Sequence, residues 1–252
     1  MDNMKKNNII IIGAAGRLGK SFIKYFNKEN NRRIIAIDIL SSTDWSELNI
    51  DVIEYFSLDI TKSISLKNII NKIHKKHGTI ESVVNTSYPK NKNYGKSLDQ
   101  TTIDDFNEHV SMHLGGYFNV MKLFIEYFKN QKFGNIVNIA SIQGIMPPKF
   151  DHYKGTDMVS PIEYTAAKSG IISITKYLAK YNKDKNIRIN CISPGGIYAN
   201  QPESFTIEYQ KSCLSKGLLD ANDINGTIEF LLSNKSTYIN GQNIIIDDGW
   251  SL

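Results

Sequence analysis

Short apolar runs rich in β-branched residues alternate along this chain with longer segments of helical period. Such runs suit strands buried on both faces, and the alternation is that of βα units on a parallel sheet. Strands are expected over residues 8–12, 33–38, 51–56, 80–85, 135–140, 186–192 and 242–247, and helices over 17–27, 65–77, 103–130, 162–182 and 221–232. Right-handed crossovers then place helices on both faces of a doubly wound α/β sheet. Two stretches resist the alternation. Residues 144–161 carry Pro147, Pro148 and Gly155, and residues 195–217 open on Gly195 and Gly196 without clear period. Long loops inside a compact fold tend to bind ligands, so both are candidate substrate walls.

Composition narrows the class. For 252 residues a single domain, 1–252, is the default expectation for a doubly wound sheet. Hydrophobic residues make up 41% and charged residues 22%, too balanced for disorder. The net charge of +5 is spread out, with no basic run interleaved with aromatics, so nucleic acid is not an expected partner. Cys191 and Cys213 lack CxxC spacing, which argues against a disulfide or a metal site. The polar residues 1–8 lead into a run of only four isoleucines, Ile9 to Ile12, too short for a signal peptide or a membrane span. The cytoplasm is the expected compartment, with no membrane partner.

Candidate chemistry starts directly after the first strand, at Gly13-Ala14-Ala15-Gly16-Arg17-Leu18-Gly19. Glycines allow a tight turn and close backbone approach, so amides and a helix N-terminus can face a pyrophosphate. Alone, such a loop equally suits a plain strand-to-helix turn. The second strand, however, ends on Asp38, nineteen residues past Gly19, where a dinucleotide fold places its ribose-binding acid. A carboxylate there accepts bonds from the ribose 2′-OH and repels a 2′-phosphate. NAD is therefore expected over NADP, although Arg17 could meet a phosphate and keeps NADP open.

Tyr164 and Lys168 lie four apart on an expected helix, hence on one face. A tyrosine with its ordinary pKa near 10 becomes a useful acid or base around neutrality only when a nearby cation stabilises the phenolate. The spacing alone also describes any solvated helix face. Here it follows a strand that ends Asn138-Ile139-Ala140-Ser141, whose serine could hydrogen-bond a carbonyl or alcohol at the carboxyl end of the sheet. Over nearly its whole length the sequence resembles the short-chain dehydrogenase/reductase family. The matching pieces are the glycine loop, Leu58-Asp59-Ile60, Val84-Asn85, Ser141, Tyr164 with Lys168, Ser193-Pro194-Gly195-Gly196-Ile197, and the close from Asn240-Gly241 to Asp247-Asp248-Gly249.

The resemblance implies a Rossmann-type sheet of about seven strands and hydride transfer between nicotinamide C4 and a substrate carbon. Tyr164 would exchange a proton with the substrate oxygen, Lys168 would lower the tyrosine pKa and hold the nicotinamide ribose, and Ser141 would polarise the oxygen. Gly13, Ala15, Gly16, Arg17, Leu18 and Gly19 would hold the pyrophosphate. Asp38 would take the ribose, Asp59 and Ile60 would flank the adenine, and Asn85 would lie beside the cofactor. Pro194, Gly195 and Ile197 would meet the nicotinamide side. Family members are usually homotetramers or homodimers packed through helices that here cover 103–130 and 162–182.

Several positions depart from the family pattern. The loop glycines stand first, fourth and seventh instead of first, fifth and seventh, and Arg17 takes the fifth place. After Asn85 the usual Asn-Ala-Gly is Thr86-Ser87-Tyr88, then Pro89, so the glycine is missing and Tyr88 could instead lie toward the active site. The helix asparagine that steadies a relay water is His113, which titrates near neutrality and could serve the relay or touch a substrate phosphate or carboxylate, or is a buried structural histidine. Ser141 and Tyr164 are twenty-three residues apart, more than in most members. With the His113 and Tyr88 segments, this insertion resembles a bacterial subgroup tied to surface-sugar and flagellin modification. That implies a sugar or sugar-phosphate substrate, met by Lys90, Lys149, His152 and Lys154, each of which singly is as well a solvated loop charge. The rival to an enzyme is an inactive dinucleotide-binding regulator, and the joint presence of Ser141, Tyr164 and Lys168 argues against it.

Overall fold

In a computed structural model that describes residues 7–29 and 32–252, seven parallel strands form one sheet. They are β1 (Asn7–Ile12), β2 (Arg32–Asp38), β3 (Glu54–Ser57), β4 (Ile80–Asn85), β5 (Gly134–Ile139), β6 (Ile187–Pro194) and β7 (Asn243–Ile246), in the order β3-β2-β1-β4-β5-β6-β7. The helices are α1 (Arg17–Glu29), α2 (Ser42–Glu47), α3 (Ser63–His77), α4 (Ile103–Gln131), α5 (Ile162–Tyr181), α6 (Glu203–Gln210) and α7 (Asn225–Leu232). Most of the polar stretch at 1–8 lies outside the described residues.

The run of isoleucines in β1 shows why the strands read as unbroken apolar segments. Successive side chains point to opposite faces, and both faces are covered. Ile10 and Ile12 pack with Ile35, Ile37 and the inner sides of α3, α4 and α5. Ile9 and Ile11 pack with Ile34, Ala36, and Phe22, Ile23 and Phe26 of α1, together with Ile228 and Leu231 of α7. Each fully buried isoleucine contributes about 1.5–3 kcal/mol relative to exposure. A third, smaller cluster of Ile142, Phe205, Tyr209, Leu218 and Trp250 lies beyond the carboxyl ends of the strands.

Helix α4 spans 29 residues and starts at a capping box, with the Thr102 side chain accepting from Asp105 N while the Asp105 carboxylate accepts from the Thr102 amide. Two helices fall where the pattern predicts none. Helix α2 has six residues, too few to show a period, and α6 buries only Phe205 and Tyr209 inside the irregular 195–217 stretch. Strand β3 begins at Glu54, not 51, because pairing with β2 begins at Ile35 opposite Glu54. The helix expected over 221–232 opens with a tighter turn, Ala221–Ile224, before α7. Among the described residues no helix is long and apolar enough to cross a membrane, and no His, Cys, Asp or Glu group could hold a metal.

Candidate active site

Strand β1 pairs with β2 on one side and β4 on the other, so chain direction across the sheet reverses at its carboxyl end. Ligands of doubly wound folds bind in the crevice at such a point. The glycine loop turns there. Amides of Gly13 and Ala14 donate to Ile37 O at 2.9 and 3.2 Å, and Gly16 N donates to Gly13 O at 3.0 Å. Gly13 has φ +76°, and a Cβ on it would lie 2.7 Å from Ser87 N and Thr86 Oγ1. On Gly19 a Cβ would stand 2.4 Å from Gly13 O. The first and seventh glycines are thus required by packing of the loop on itself and on the turn after β4. Gly16 and Arg17 are exposed along the crevice.

Asp38 closes this half. Its Oδ2 accepts from Ala15 N at 2.9 Å, and its Oδ1 accepts from Ile39 N at 2.8 Å and Leu40 N at 3.3 Å. With Gly13, Ala15, Gly16, Asp59 and Ile60 it lines a cavity of about 470 Å³. A second cavity, of about 450 Å³, continues past Gly16 and holds Arg17, Leu18, Ser141, Tyr164, Lys168 and Pro194 to Ile197. Gly16, Thr86, Ser87 and Tyr88 line both cavities.

Ser141, Tyr164 and Lys168 converge as expected, with one electrostatic difference. Burial pushes the half-buried Tyr164 phenol above its ordinary value, opposed by a hydrogen bond with Ser141. The expected lowering by Lys168 does not prevail. That ammonium is buried, donates to Ile139 O at 2.8 Å, and lies 5.6 Å from the Tyr164 ring centre. Burial lowers Lys168 from 10.5 to about 7, since a dry site disfavours the charged amine.

Tyr88 does turn toward the active site, edge-on to Tyr164 at 5.5 Å and to His113 at 5.2 Å. His113 stands behind both, fully buried, 6.3 Å from the Tyr164 ring, and lines neither cavity. Burial, then the Lys168 charge, drives its pKa far down, so it is a neutral imidazole instead of a group titrating near neutrality. Asn85 also differs from expectation. Its side chain is buried away from the cavities and accepts from Ser87 N and Oγ, which shapes the turn. Gly19 acts through packing and likewise does not face the crevice.

The outer wall draws on residues that no motif marked. Tyr153, Phe205, Tyr209 and Trp250 line the second cavity with Gln143 and Gln201. Tyr209 Oη accepts from Gly196 N at 2.6 Å, which ties α6 to the turn after β6. Of the four basic loop residues, Lys149 faces this cavity and donates to Trp250 O at 3.0 Å. His152 also lines it, but burial and Lys149 lower its pKa and it packs against Phe205, Tyr209 and Trp250, which contradicts a charged role. Lys90 lies over the Tyr88 and Tyr94 rings beside the first cavity. Lys154 is turned to solvent and paired with Asp151, outside both cavities.

A family model described as enoyl-(acyl carrier protein) reductase matches residues 42–251. Post-translational flagellin modification protein A of Campylobacter coli is 38% identical over 257 aligned residues, covering 99% of this chain and 100% of that protein. The 7alpha-hydroxysteroid dehydrogenase of Bacteroides fragilis is 32% identical over 263 residues, covering 100% of this chain and 97% of the other. A crystal structure of a short chain dehydrogenase from Leptospira borgpetersenii with bound NAD+ superposes with a TM-score of 0.87 at 28% identity, covering 100% and 97% of the two chains. With this sheet order and a model match across most of its length, the chain belongs to the short-chain dehydrogenase/reductase family and is an oxidoreductase.

Proposed function

We propose that this enzyme interconverts an alcohol and a carbonyl on a sugar or sugar-phosphate, with NAD as its cofactor. The convergence of Ser141, Tyr164 and Lys168 in one cavity that opens onto the glycine loop carries the reading. The donor set suits a dinucleotide. Loop amides and the start of α1 suit a pyrophosphate, and Asp38, held by three amides, offers lone pairs to a ribose diol while opposing a 2′-phosphate. When bound, the nicotinamide supplies or accepts the hydride.

The protein's own part is proton transfer and orientation. At neutral pH Tyr164 keeps its proton, the state that a general acid needs for carbonyl reduction, and Ser141 beside it holds the substrate oxygen. Lys168, titrating near neutrality, is a proton store within the same cavity. Pro194, Gly195 and Ile197 line the same cavity and would form the wall that holds the nicotinamide side of the cofactor.

A carbohydrate is favoured by the outer wall. Flat rings of Tyr153, Phe205 and Trp250 suit the C–H face of a sugar, while Gln143, Gln201 and Lys149 suit hydroxyls or a phosphate. The likeness to a protein named for flagellin modification points the same way. Exposed Phe118 on α4 and Ile162, Tyr177 and Tyr181 on α5 support a homodimer or homotetramer packed through these helices. Free thiols at Cys191 and Cys213 accord with a single domain working in the reducing cytoplasm.

The test is NADH oxidation or NAD reduction with a panel of keto-sugars and polyols, for the wild type and Tyr164→Phe. Turnover that depends on Tyr164 supports the reading. Activity untouched by the change would overturn the catalytic assignment, and turnover confined to non-carbohydrate carbonyls would overturn the substrate class.

A further inference from the structure

Far from the crevice, the carboxyl end of α5 and the start of β6 border a third hollow, of about 590 Å³. Strand β6 runs from Ile187 in this hollow to Pro194 in the crevice. At about 3.3 Å per residue its two ends stand roughly 23 Å apart, so the hollow is separate from the active site.

Its charge is one-sided. Lys176 and Lys180, four apart on α5 and so on one face, line it together with Lys183 and Arg188. Against these cations its wall carries a single carboxylate, the exposed Asp184, 4.0 Å from Lys183. A lysine near the end of a helix complements the helix dipole, which accounts for Lys180 without any ligand. Arg188 has no such reason. It is half-buried, its Nη1 donates to Ser236 O at 3.0 Å and Ser236 Oγ at 2.8 Å, and its Nη2 donates to Ser233 O at 3.3 Å. Those bonds use three of its five N–H groups and leave its charge unanswered, because every acceptor is neutral. No carboxylate among the described residues pairs with it, and burial pulls its pKa below the ordinary value. A partly desolvated cation without a counter-charge is costly to hold.

Asn182 adds an independent observation. It is 2% exposed and lines the same hollow. Its Nδ2 donates to Leu178 O at 2.7 Å, while its Oδ1 is buried with no partner among the described residues. An unpaired buried acceptor costs about 1–3 kcal/mol, which a donor such as a hydroxyl would offset. Asn186, Asn234, Thr237 and Asn240 complete a polar wall. Several cations on one side suit a phosphate, which carries about −1.5 to −2 charge at pH 7, better than a carboxylate. The volume is that of a small-molecule site.

We propose that this hollow is a second binding site, for a small phosphorylated polyol. Lys176, Lys180 and Arg188 hold the phosphate, and Asn182 Oδ1 accepts from a hydroxyl of the polyol. The site stands independently of the function proposed above, since none of its residues lines the crevice.

The experiment titrates ribose 5-phosphate and inorganic phosphate into the full-length protein by calorimetry, with NADH present. One molecule of ribose 5-phosphate is expected to bind per chain, about tenfold or more tighter than inorganic phosphate. Lys176→Gln combined with Lys180→Gln changes two exposed side chains and is expected to weaken that binding by about tenfold or more. Lys149→Ala, in the substrate cavity, is expected to leave it unchanged. Three results would each overturn the proposal: no saturable binding up to about 10 mM, binding indifferent to the lysine pair, or inorganic phosphate bound as tightly as the sugar phosphate. Binding lost in Lys149→Ala but kept in the lysine-pair variant would assign the ligand to the substrate cavity, which sinks the second site alone. Failure of Tyr164→Phe to lower turnover would sink the catalytic assignment and leave the second site standing.

Discussion

The two halves of the crevice are made in different ways. The half beside β1, β2 and β3 is largely backbone: amides of Gly13, Ala14 and Ala15, a carboxylate at a strand end, and glycines whose missing Cβ atoms let the turns touch. The half beyond β5, β6 and β7 is side chain: a hydroxyl, a phenol and an amine on an inner wall, and aromatic rings from three separate segments on an outer one. Backbone sites tolerate little change in shape and much change in neighbouring side chains. Side-chain sites behave the other way round, and substitution can separate the two.

The largest expected effect is on the side-chain half. Tyr164→Phe should lower kcat by about a hundredfold or more while leaving NADH affinity within a few-fold, as read by steady-state kinetics and fluorescence titration. A parallel loss of NADH affinity would mean the halves are not separable at this residue. On the backbone half, Gly19→Ala places a Cβ 2.4 Å from Gly13 O and should cost about 1–3 kcal/mol of stability. Denaturant unfolding, with the cofactor KM measured alongside, checks it, and an unchanged midpoint would show that the loop relaxes freely.

Stability should also track Lys168. Its pKa is about 7 folded against 10.5 ordinarily, so between these values the unfolded chain binds more protons. The penalty for burying the charge is full below pH 7 and fades as pH rises. Unfolding free energy should therefore climb by up to about 1 kcal/mol per pH unit from 7 towards 10. Lys168→Met should flatten the climb in urea titrations across that range, and an equal slope in both proteins would contradict the burial. Next, Asp38→Ser should erode NADH selectivity over NADPH by roughly tenfold, the effect of about 1.4 kcal/mol, without changing the outer wall. Selectivity that stays put would remove Asp38 as its source. The smallest effect is expected from Lys149→Ala, a rise of a few-fold in substrate KM at constant kcat, because its amine is already held by Trp250 O. A kcat change larger than the KM change would place Lys149 nearer the chemistry.

The same contrast explains what could be read from the chain alone. The glycine loop, Asp38, Ser141 and the Tyr164 and Lys168 spacing are local patterns, and the sheet places them together at the ends of its strands. The outer wall is different, since Phe205, Tyr209 and Trp250 meet only through tertiary packing. Two signals were nonetheless available. Phe205 and Tyr209 are four apart, enough to suggest the short helix α6, and Ser41 three before Asp44 is the cap that opens α2. What no pattern carried was electrostatic sign. The burial that neutralises His113 and lowers Lys168 arises only in the packed fold, where His113 meets Tyr88 and Tyr164 and Lys168 reaches Ile139 O.

The short turn of Thr86, Ser87 and Tyr88 borders both cavities. A partition shared by two ligands makes their affinities interdependent, and thermodynamic reciprocity requires each to alter the other by the same factor. Calorimetric titration of cofactor and substrate in either order should close on one coupling constant, and Tyr88→Ala should bring that constant towards unity.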